Sequence, residues 1–232
     1  MIHLVTFDLD DTLWDVAQVM NHAETTLRQW LGVHAPKLGE VPIEHLWVFR
    51  NQLLAEEPSL KFRLSELRYK VLERALLAAG YLAPEAQRLA AEGFEVFLAA
   101  RHAVTFFANA EQTLRALSQQ YQLAVITNGN ADVSRLGLGE YFRFAISAES
   151  LGVGKPHAAP FAKALELSGV AAKHALHIGD HPIDDMQGAK QAGFHAVWFN
   201  PSAKPWTGEH TPDAEISALN QLPALLANWP KP

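Results

Sequence analysis

Three aspartates directly follow an apolar run at the start of the chain. Asp8, Asp10 and Asp11 lie within four positions, after the β-branched and apolar residues 2–7. Two carboxylates about 4 Å apart repel by roughly 4 kcal/mol at an effective dielectric near 20, so the pattern predicts a cation nearby. The chain has no cysteine, and oxygen ligands suit a hard cation such as Mg²⁺ better than zinc. Taken alone, the stretch also fits a polar turn that caps a helix.

Three later stretches place further polar groups after apolar runs or between glycines. Each is ordinary by itself, as a strand-to-helix turn, a solvated lysine, or carboxylates near a helix N-terminus. The carboxyl ends of parallel strands meet at one edge of a sheet, where open α/β sheets bind ligands, so we expect these groups to converge. The candidate residues are Thr127 with Asn128, Lys155, and Asp180 with Asp184 and Asp185.

Hydrophobic periodicity predicts the elements that position these groups. Helical patterns alternate with short apolar runs, which is typical of a parallel sheet covered by helices. The predicted strands are residues 2–7, 123–127, 144–147, 175–178 and 195–199.

Between the first strand and the rest, four apolar stripes at three-to-four-residue spacing predict a small helical bundle. The fold class is therefore α/β, with a Rossmann-like parallel-sheet core and an inserted all-helical domain. The core is predicted to be residues 1–14 and 104–232, and the insertion residues 15–103.

Composition and charge narrow the classes of function. The chain has 232 residues, 49% of them hydrophobic, and a net charge of −6 without a basic run, which argues against nucleic acid or an anionic membrane as partner. No apolar stretch reaches the roughly 20 residues that span a bilayer, and the first is too short for a signal peptide. We expect a cytoplasmic protein that is a monomer or a weak homodimer.

The motifs, in their order along the chain, resemble the haloacid dehalogenase superfamily. They are Asp-x-Asp-x-Thr at residues 8–12, Thr127, Lys155, and Gly-Asp-x₄-Asp at residues 179–185. The resemblance covers residues 1–14 and about 104–200. The helical insertion lies where that superfamily carries a helical cap domain.

The resemblance implies phosphoryl-transfer chemistry for the matching residues. Asp8 matches the nucleophile that forms an aspartyl-phosphate, and Asp10 matches the general acid and base. Thr127 and the backbone of Asn128 match the phosphate cradle. Lys155 matches the cation that offsets charge on the nucleophile and the phosphoryl group.

The resemblance also implies a Mg²⁺ site. Its ligands would be the carboxylates of Asp8 and Asp180 and the backbone carbonyl oxygen of Asp10. Asp185 matches a carboxylate that supports the ligands, with Asp184 as the adjacent alternative. Asp11 matches a position that the family fills variably, and no chemical step is assigned to it.

The expected substrate is a small-molecule phosphate ester. Residues 68–73, 127–130 and 136–142 look like the bacterial branch that contains flavin-pathway phosphatases, which act on 5-amino-6-(5-phospho-D-ribitylamino)uracil. Asp10 favours a phosphatase over a 2-haloacid dehalogenase, because dehalogenases attack carbon, need no Mg²⁺ and generally lack this second aspartate. A phosphonatase, a phosphomutase and a phospho-accepting regulatory protein without turnover stay open as alternatives.

Overall fold

A computed structural model describes residues 1–39 and 43–230 of the chain. The chain divides into two compact units, Met1–Val16 with Thr105–Pro232 and Ala17–Val104. The predicted domain ranges, 1–14 with 104–232 and 15–103, stay a prediction. Within those ranges, residues 40–42, 231 and 232 lie outside the described part of the chain.

The first unit is built around a parallel sheet. Its strand order in the described residues is β3-β2-β1-β4-β5-β6, and every neighbouring pair is parallel. This architecture confirms the predicted α/β, Rossmann-like fold class. The strands are β1 Leu4–Phe7, β2 Gln122–Thr127, β3 Phe144–Ser147, β4 Ala175–Gly179, β5 His195–Phe199 and β6 Ala214–Ile216.

The helices follow the predicted pattern, with four long ones between β1 and β2. In the described ranges the α-helices are α1 Val16–His34, α2 Ile43–Glu56, α3 Leu64–Ala78, α4 Ala83–Arg101, α5 Ala110–Ser118, α6 Ala148–Leu151, α7 Ala158–Ser168, α8 Gly188–Gln191 and α9 Leu222–Ala227. Of the helices in the described ranges, none combines the length and the apolar character needed to cross a membrane.

One predicted helix has a different form in the structure. The periodicity predicts a single helix over residues 183–191, but the chain forms a π-helical turn, Pro182–Gln187, and only then α8. The turn is wide because Met186 N–H donates to the carbonyl oxygen of His181, five residues earlier, at 3.2 Å. Single π-helical turns often occur at functional sites.

The central strand is short and fully buried. All four residues of β1 are buried, and β1 lies between β2 and β4. A strand that is covered on both faces has a nearly continuous apolar sequence, unlike a strand with one solvent-exposed face.

The second unit is built from packed helices. In it, α3 packs against α2 and α4, and the core includes Leu27, Leu76 and Phe97.

Candidate active site

Asp8 lies one residue beyond the end of β1. Its backbone N–H donates to the carbonyl oxygen of Ile178 at 2.8 Å, so the ladder with β4 continues to this residue. The neighbouring strands end at Thr127 and Gly179. Because the three strands are parallel, their carboxyl ends place Asp8, Thr127 and Asp180 at one edge of the sheet.

Lys155 bridges two carboxylates. Its Nζ lies 2.6 Å from Asp8 Oδ1 and 2.5 Å from Asp185 Oδ1, and 2% of its side chain is exposed. Burial alone would lower the pKa of Lys155, but the negative charges of Asp185 and Asp8 outweigh burial and raise that pKa. Lys155 is therefore a buried, permanently charged cation at the end of β1.

Asp185 is held by donors on both of its oxygens. Oδ1 accepts from Lys155 Nζ and from His177 Nε2 at 3.0 Å, and Oδ2 accepts from His181 N–H at 2.9 Å. Burial would raise the pKa of Asp185, but the charge of Lys155 and the bond from His177 hold it well below its ordinary value. The carboxylate also packs on Gly179, where a Cβ would come within 2.2 Å of Asp185 Cγ.

Three carboxylates gather at this edge of the sheet. Asp8, Asp180 and Asp185 offer oxygens that all lie within 4.8 Å of one another. Two oxygens bound to one Mg²⁺ at about 2.1 Å each can be at most about 4.2 Å apart, so small side-chain adjustments would let these oxygens share the ion. The acidic cluster is therefore compatible with Mg²⁺. Asp185 already accepts three hydrogen bonds, which leaves Asp8 and Asp180 better suited as ligands.

Two carboxylates of the cluster have raised pKa values. Burial, with the nearby charges of Asp185 and Asp11, raises the pKa of Asp180 to about 7. Burial and the charge of Asp185 also raise the pKa of Asp8, although Lys155 opposes this. Among the contacts of the described residues, Lys155 pairs with Asp8 and Asp185, yet the pKa values of Asp8 and Asp180 stay raised, as expected of a site that receives a cation.

Thr127 and Asn128 form the turn after β2. Thr127 is buried, and its Oγ1 accepts from Gly129 N–H at 3.0 Å. The side chain of Asn128 reaches the backbone of Lys155, donating from Nδ2 to the carbonyl oxygen at 2.9 Å and accepting at Oδ1 from N–H at 2.8 Å. The same Nδ2 lies 3.3 Å from Asp184 Oδ2. Asp184 is thus next to Asn128, whereas Asp185 contacts Lys155.

Asp10 and Asp11 lie in the turn that follows β1. The Oδ1 of Asp10 accepts from Trp14 Nε1–H at 2.9 Å. Asp11 has a left-handed backbone, with φ of 57°, and its Oδ1 accepts from Val16 N–H at 2.9 Å. The Asp11 side chain therefore orders the start of α1, which agrees with the absence of a chemical role for it.

The structure also reveals groups at the site that sequence reasoning did not assign. His177 is fully buried in β4, Trp198 Nε1–H donates to the Asp180 carbonyl oxygen at 2.8 Å, and Thr12 Oγ1–H donates to Asp180 Oδ1 at 3.4 Å. A histidine inside an apolar strand was the available signal for His177, because a buried polar group needs a partner. Nothing in the spacing of Trp198 indicated its partner.

Comparison with known proteins decides the family. The model of the haloacid dehalogenase-like hydrolases matches residues 2–193. The chain is a haloacid dehalogenase-like hydrolase. The resemblance predicted from the four motifs is thereby confirmed, as is the prediction of an enzyme.

Relatives of this hydrolase include phosphatases. It is 32% identical over 229 residues to the 5-amino-6-(5-phospho-D-ribitylamino)uracil phosphatase YigB of Escherichia coli (strain K12), covering 97% of this chain and 96% of that protein. It is 30% identical over 217 residues to the phosphoserine phosphatase of Thermus thermophilus, covering 89% and 83%.

Solved structures of similar proteins have the same architecture. A structure described as a 2-haloacid dehalogenase from Pseudomonas syringae pv. Tomato DC3000 is 57% identical, with a TM-score of 0.97 over 99% of this hydrolase and 100% of that chain. The putative HAD-hydrolase YfnB of Bacillus subtilis, at 23% identity and a TM-score of 0.67 over 97% and 98%, shares the fold.

Proposed function

We propose that this hydrolase is a Mg²⁺-dependent phosphatase that acts on a small phosphorylated metabolite through an aspartyl-phosphate. The observation that carries the proposal is the excess of carboxylates over buried cations at the end of β1. Lys155 pairs with Asp8 and Asp185, and the third carboxylate of the cluster, Asp180, has no ion pair among the contacts of the described residues. A phosphate ester brings further negative charge, so its binding requires a metal cation beside Lys155.

In the first chemical step, an oxygen of Asp8 attacks phosphorus and the bond from phosphorus to the leaving oxygen breaks. The leaving oxygen keeps the electron pair and takes a proton from the Asp10 carboxyl group. In the second step, Asp10 removes a proton from water, whose oxygen attacks phosphorus. The bond to Asp8 then breaks, releasing phosphate and restoring both carboxyl groups.

The remaining residues bind and orient the phosphoryl group. Lys155, already 2.6 Å from Asp8 Oδ1, would pair with a phosphoryl oxygen, and Thr127 and the backbone of Asn128 would donate to the others. A bound Mg²⁺, held by Asp8, Asp180 and the carbonyl oxygen of Asp10, would supply positive charge to the phosphoryl group. Asp185, whose Oδ1 contacts Lys155 Nζ, would orient the lysine.

A 2-haloacid dehalogenase is the second candidate, because the Pseudomonas syringae structure at 57% identity carries that description. The charges of this site argue against it. Halide leaves as a weakly basic anion and needs no proton donor, so Asp10 would have no role. A 2-haloacid is itself a carboxylate, and the raised pKa values of Asp8 and Asp180 indicate that the site already lacks positive charge.

The physiological substrate and the setting of the enzyme are also proposals. The Escherichia coli relative, at 32% identity over nearly the whole chain, supports 5-amino-6-(5-phospho-D-ribitylamino)uracil as the first compound to test. We further propose residues 15–103 as the cap domain and residues 1–14 with 104–232 as the hydrolase core. The cytoplasmic location, the lack of nucleic-acid or membrane partners, and the monomeric or weakly dimeric state stay predictions.

The deciding experiment measures phosphate release from the ribitylaminouracil phosphate, phosphoserine and other phosphorylated metabolites, with Mg²⁺ and with chelator. Halide release from 2-chloropropionate is measured in parallel. We expect Mg²⁺-dependent phosphate release that Asp8→Asn abolishes while circular dichroism stays unchanged. Glu166→Gln, at an exposed ion pair on α7, is the control and should be fully active.

The outcomes separate the candidates. Halide release without Mg²⁺, in the absence of phosphate release, would establish the dehalogenase instead. An active Asp8→Asn variant would refute the assignment of the nucleophile. Phosphate transfer between two positions of one substrate, without net release, would identify a phosphomutase.

A further inference from the structure

Trp14 is a buried tryptophan whose indole nitrogen contacts a carboxylate of the site. Its side chain is fully buried, and Nε1–H donates to Asp10 Oδ1 at 2.9 Å. The ring packs edge-on against Phe106, with centroids 6.0 Å apart and an interplanar angle of 60°. The indole N–H, which is the single polar atom of this side chain, thus points at the residue proposed to carry the proton.

The backbone sets the position of Trp14 relative to Asp10. Residue 14 forms β-bridges to Asp10 and to Phe106. In the turn between them, Leu13 N–H donates to the carbonyl oxygen of Leu9 at 2.8 Å, and the left-handed Asp11 reverses the chain. Phe107 N–H then donates to the Leu13 carbonyl oxygen at 2.8 Å.

These bonds restrict where the indole can lie. A fully buried indole N–H needs an acceptor in any case, and a backbone carbonyl oxygen would satisfy it; here the acceptor is instead the side-chain carboxylate of Asp10. Here the chain turns back after Asp10 so that the indole meets one oxygen of that side chain. A hydrogen bond of this length restricts the orientation of the carboxyl group, and it determines which of the two carboxyl oxygens accepts the indole N–H.

We propose that Trp14 is a positioning residue for proton transfer by Asp10, an inference that rests on the proposed phosphatase function. Because Oδ1 accepts the indole N–H, a proton on the Asp10 carboxyl group resides on Oδ2. When the bond from phosphorus to the leaving oxygen breaks, that proton moves from Oδ2 to the leaving oxygen. Trp14 thereby fixes which oxygen of Asp10 delivers the proton and which way it faces.

The test uses the leaving group as the readout. Trp14→Phe keeps an aromatic ring against Phe106 and removes only the N–H and part of the ring. p-Nitrophenyl phosphate releases a stabilised phenolate that needs no proton, whereas an alkyl phosphate releases a basic alkoxide that does. We expect the kcat of Trp14→Phe to fall about tenfold to hundredfold on the alkyl phosphate and much less on p-nitrophenyl phosphate.

Three further variants support this comparison. Asp10→Asn should give the same pattern with a larger loss on the alkyl phosphate. Trp229→Phe is the matched control, because Trp229 packs on His195 at the amino end of β5, and its activity on both esters should equal that of the wild type. If Trp14→Phe does not fold, Phe106→Leu loosens the indole while leaving its N–H in place, and it should show the same selective loss at smaller size.

Each outcome has a defined meaning. Equal losses on the two esters, or no loss on either, would overturn the positioning role of Trp14 while leaving the phosphatase intact. If the wild type with Mg²⁺ hydrolyses neither ester, the proposed function itself fails, and the inference about Trp14 fails with it.

Discussion

Asn128 holds the backbone of Lys155 at two points through its side-chain amide. Nδ2 donates to the Lys155 carbonyl oxygen at 2.9 Å, and Oδ1 accepts from the Lys155 N–H at 2.8 Å. The approach is close enough that a Cβ on Gly154 would come within 2.4 Å of Oδ1. Asn128, in the turn after β2, therefore fixes the backbone position of Lys155, which lies in a loop distant in sequence.

We call the two hydrogen bonds between Asn128 and the Lys155 backbone the clamp. Asn128→Asp tests whether these bonds, and not only the shape of the side chain, are needed. The substitution preserves shape but replaces the Nδ2 donor with an oxygen that faces the Lys155 carbonyl oxygen and Asp184. We expect a loss of about 1–3 kcal/mol in the free energy of unfolding, measured with urea, and a higher KM for the phosphate ester. Asn228→Asp, at the exposed amide that follows the end of α9, is the control and should change stability by a few tenths of a kcal/mol. Unchanged KM and stability would contradict the clamp.

Lys155→Met should destabilise the fold. It would leave the buried carboxylates of Asp8 and Asp185 without their shared cation, and breaking a buried ion pair in this way costs about 3–5 kcal/mol. Thermal and urea unfolding measure this loss. Adding Asp185→Asn should recover part of the stability but no activity, because one of the uncompensated charges is then removed. Lys163→Met, which breaks an exposed pair with Glu166, should stay within about 0.5 kcal/mol of the wild type.

His177 should make the fold sensitive to acid. Burial lowers the pKa of His177 below its ordinary value of about 6.5, so the unfolded chain binds a proton at mildly acidic pH that the folded chain does not. Stability is therefore fully present above about pH 6.5 and falls as the pH drops below it, by up to about 1.4 kcal/mol for each pH unit.

Urea unfolding of the wild type and of His177→Gln at pH 7.5 and 5.5 measures this contribution. Gln can still donate to Asp185 but does not titrate, so the variant should lose less stability between the two pH values. Equal losses in the two proteins would show that His177 does not carry the effect.

Mg²⁺ binding should weaken as the pH falls below about 7. The pKa of Asp180 is raised to about 7 in the absence of metal, so a proton competes with the cation below that pH. Calorimetry at pH 6 and pH 8 should give an affinity that falls by up to about tenfold per pH unit on the acid side, with proton release on binding at pH 6. Asp180→Asn should bind Mg²⁺ more weakly and without this proton release. Strong binding that is independent of pH would argue against Asp180 as a ligand.

The sequence predicted the convergence of the site because that convergence follows from topology. Apolar runs that end in Asp8, Thr127 and Asp180 are buried parallel strands, and their carboxyl ends must share one edge. The order of the strands did not need to be known. In the same way, the alternation of helical patterns with short apolar runs along the sequence was enough to predict the α/β class.

The side-chain contacts within the site could not be predicted from the sequence, because they join residues that are far apart in the chain. No spacing predicts that Asn128 meets the backbone of Lys155 or that Trp198 meets the carbonyl oxygen of Asp180. The sequence does not predict the π-helical turn at Pro182–Gln187, because over six residues an apolar stripe of 3.6-residue period hardly differs from the stripe of a wider turn. The position of His177 inside an apolar strand indicates that it is buried, but it does not identify Asp185 as its partner.

The central place of β1 has a consequence for synthesis of the protein on the ribosome. Thr6 and Leu176, which share a hydrogen bond across β1 and β4, are 170 positions apart in the chain. At 5–20 residues per second, the first strand emerges on the order of 10 to 30 s before that partner exists. The nascent chain thus carries a strand that is buried in the folded protein with both of its edges unpaired. Meanwhile the helices of the second unit, whose contacts are local, are already able to fold.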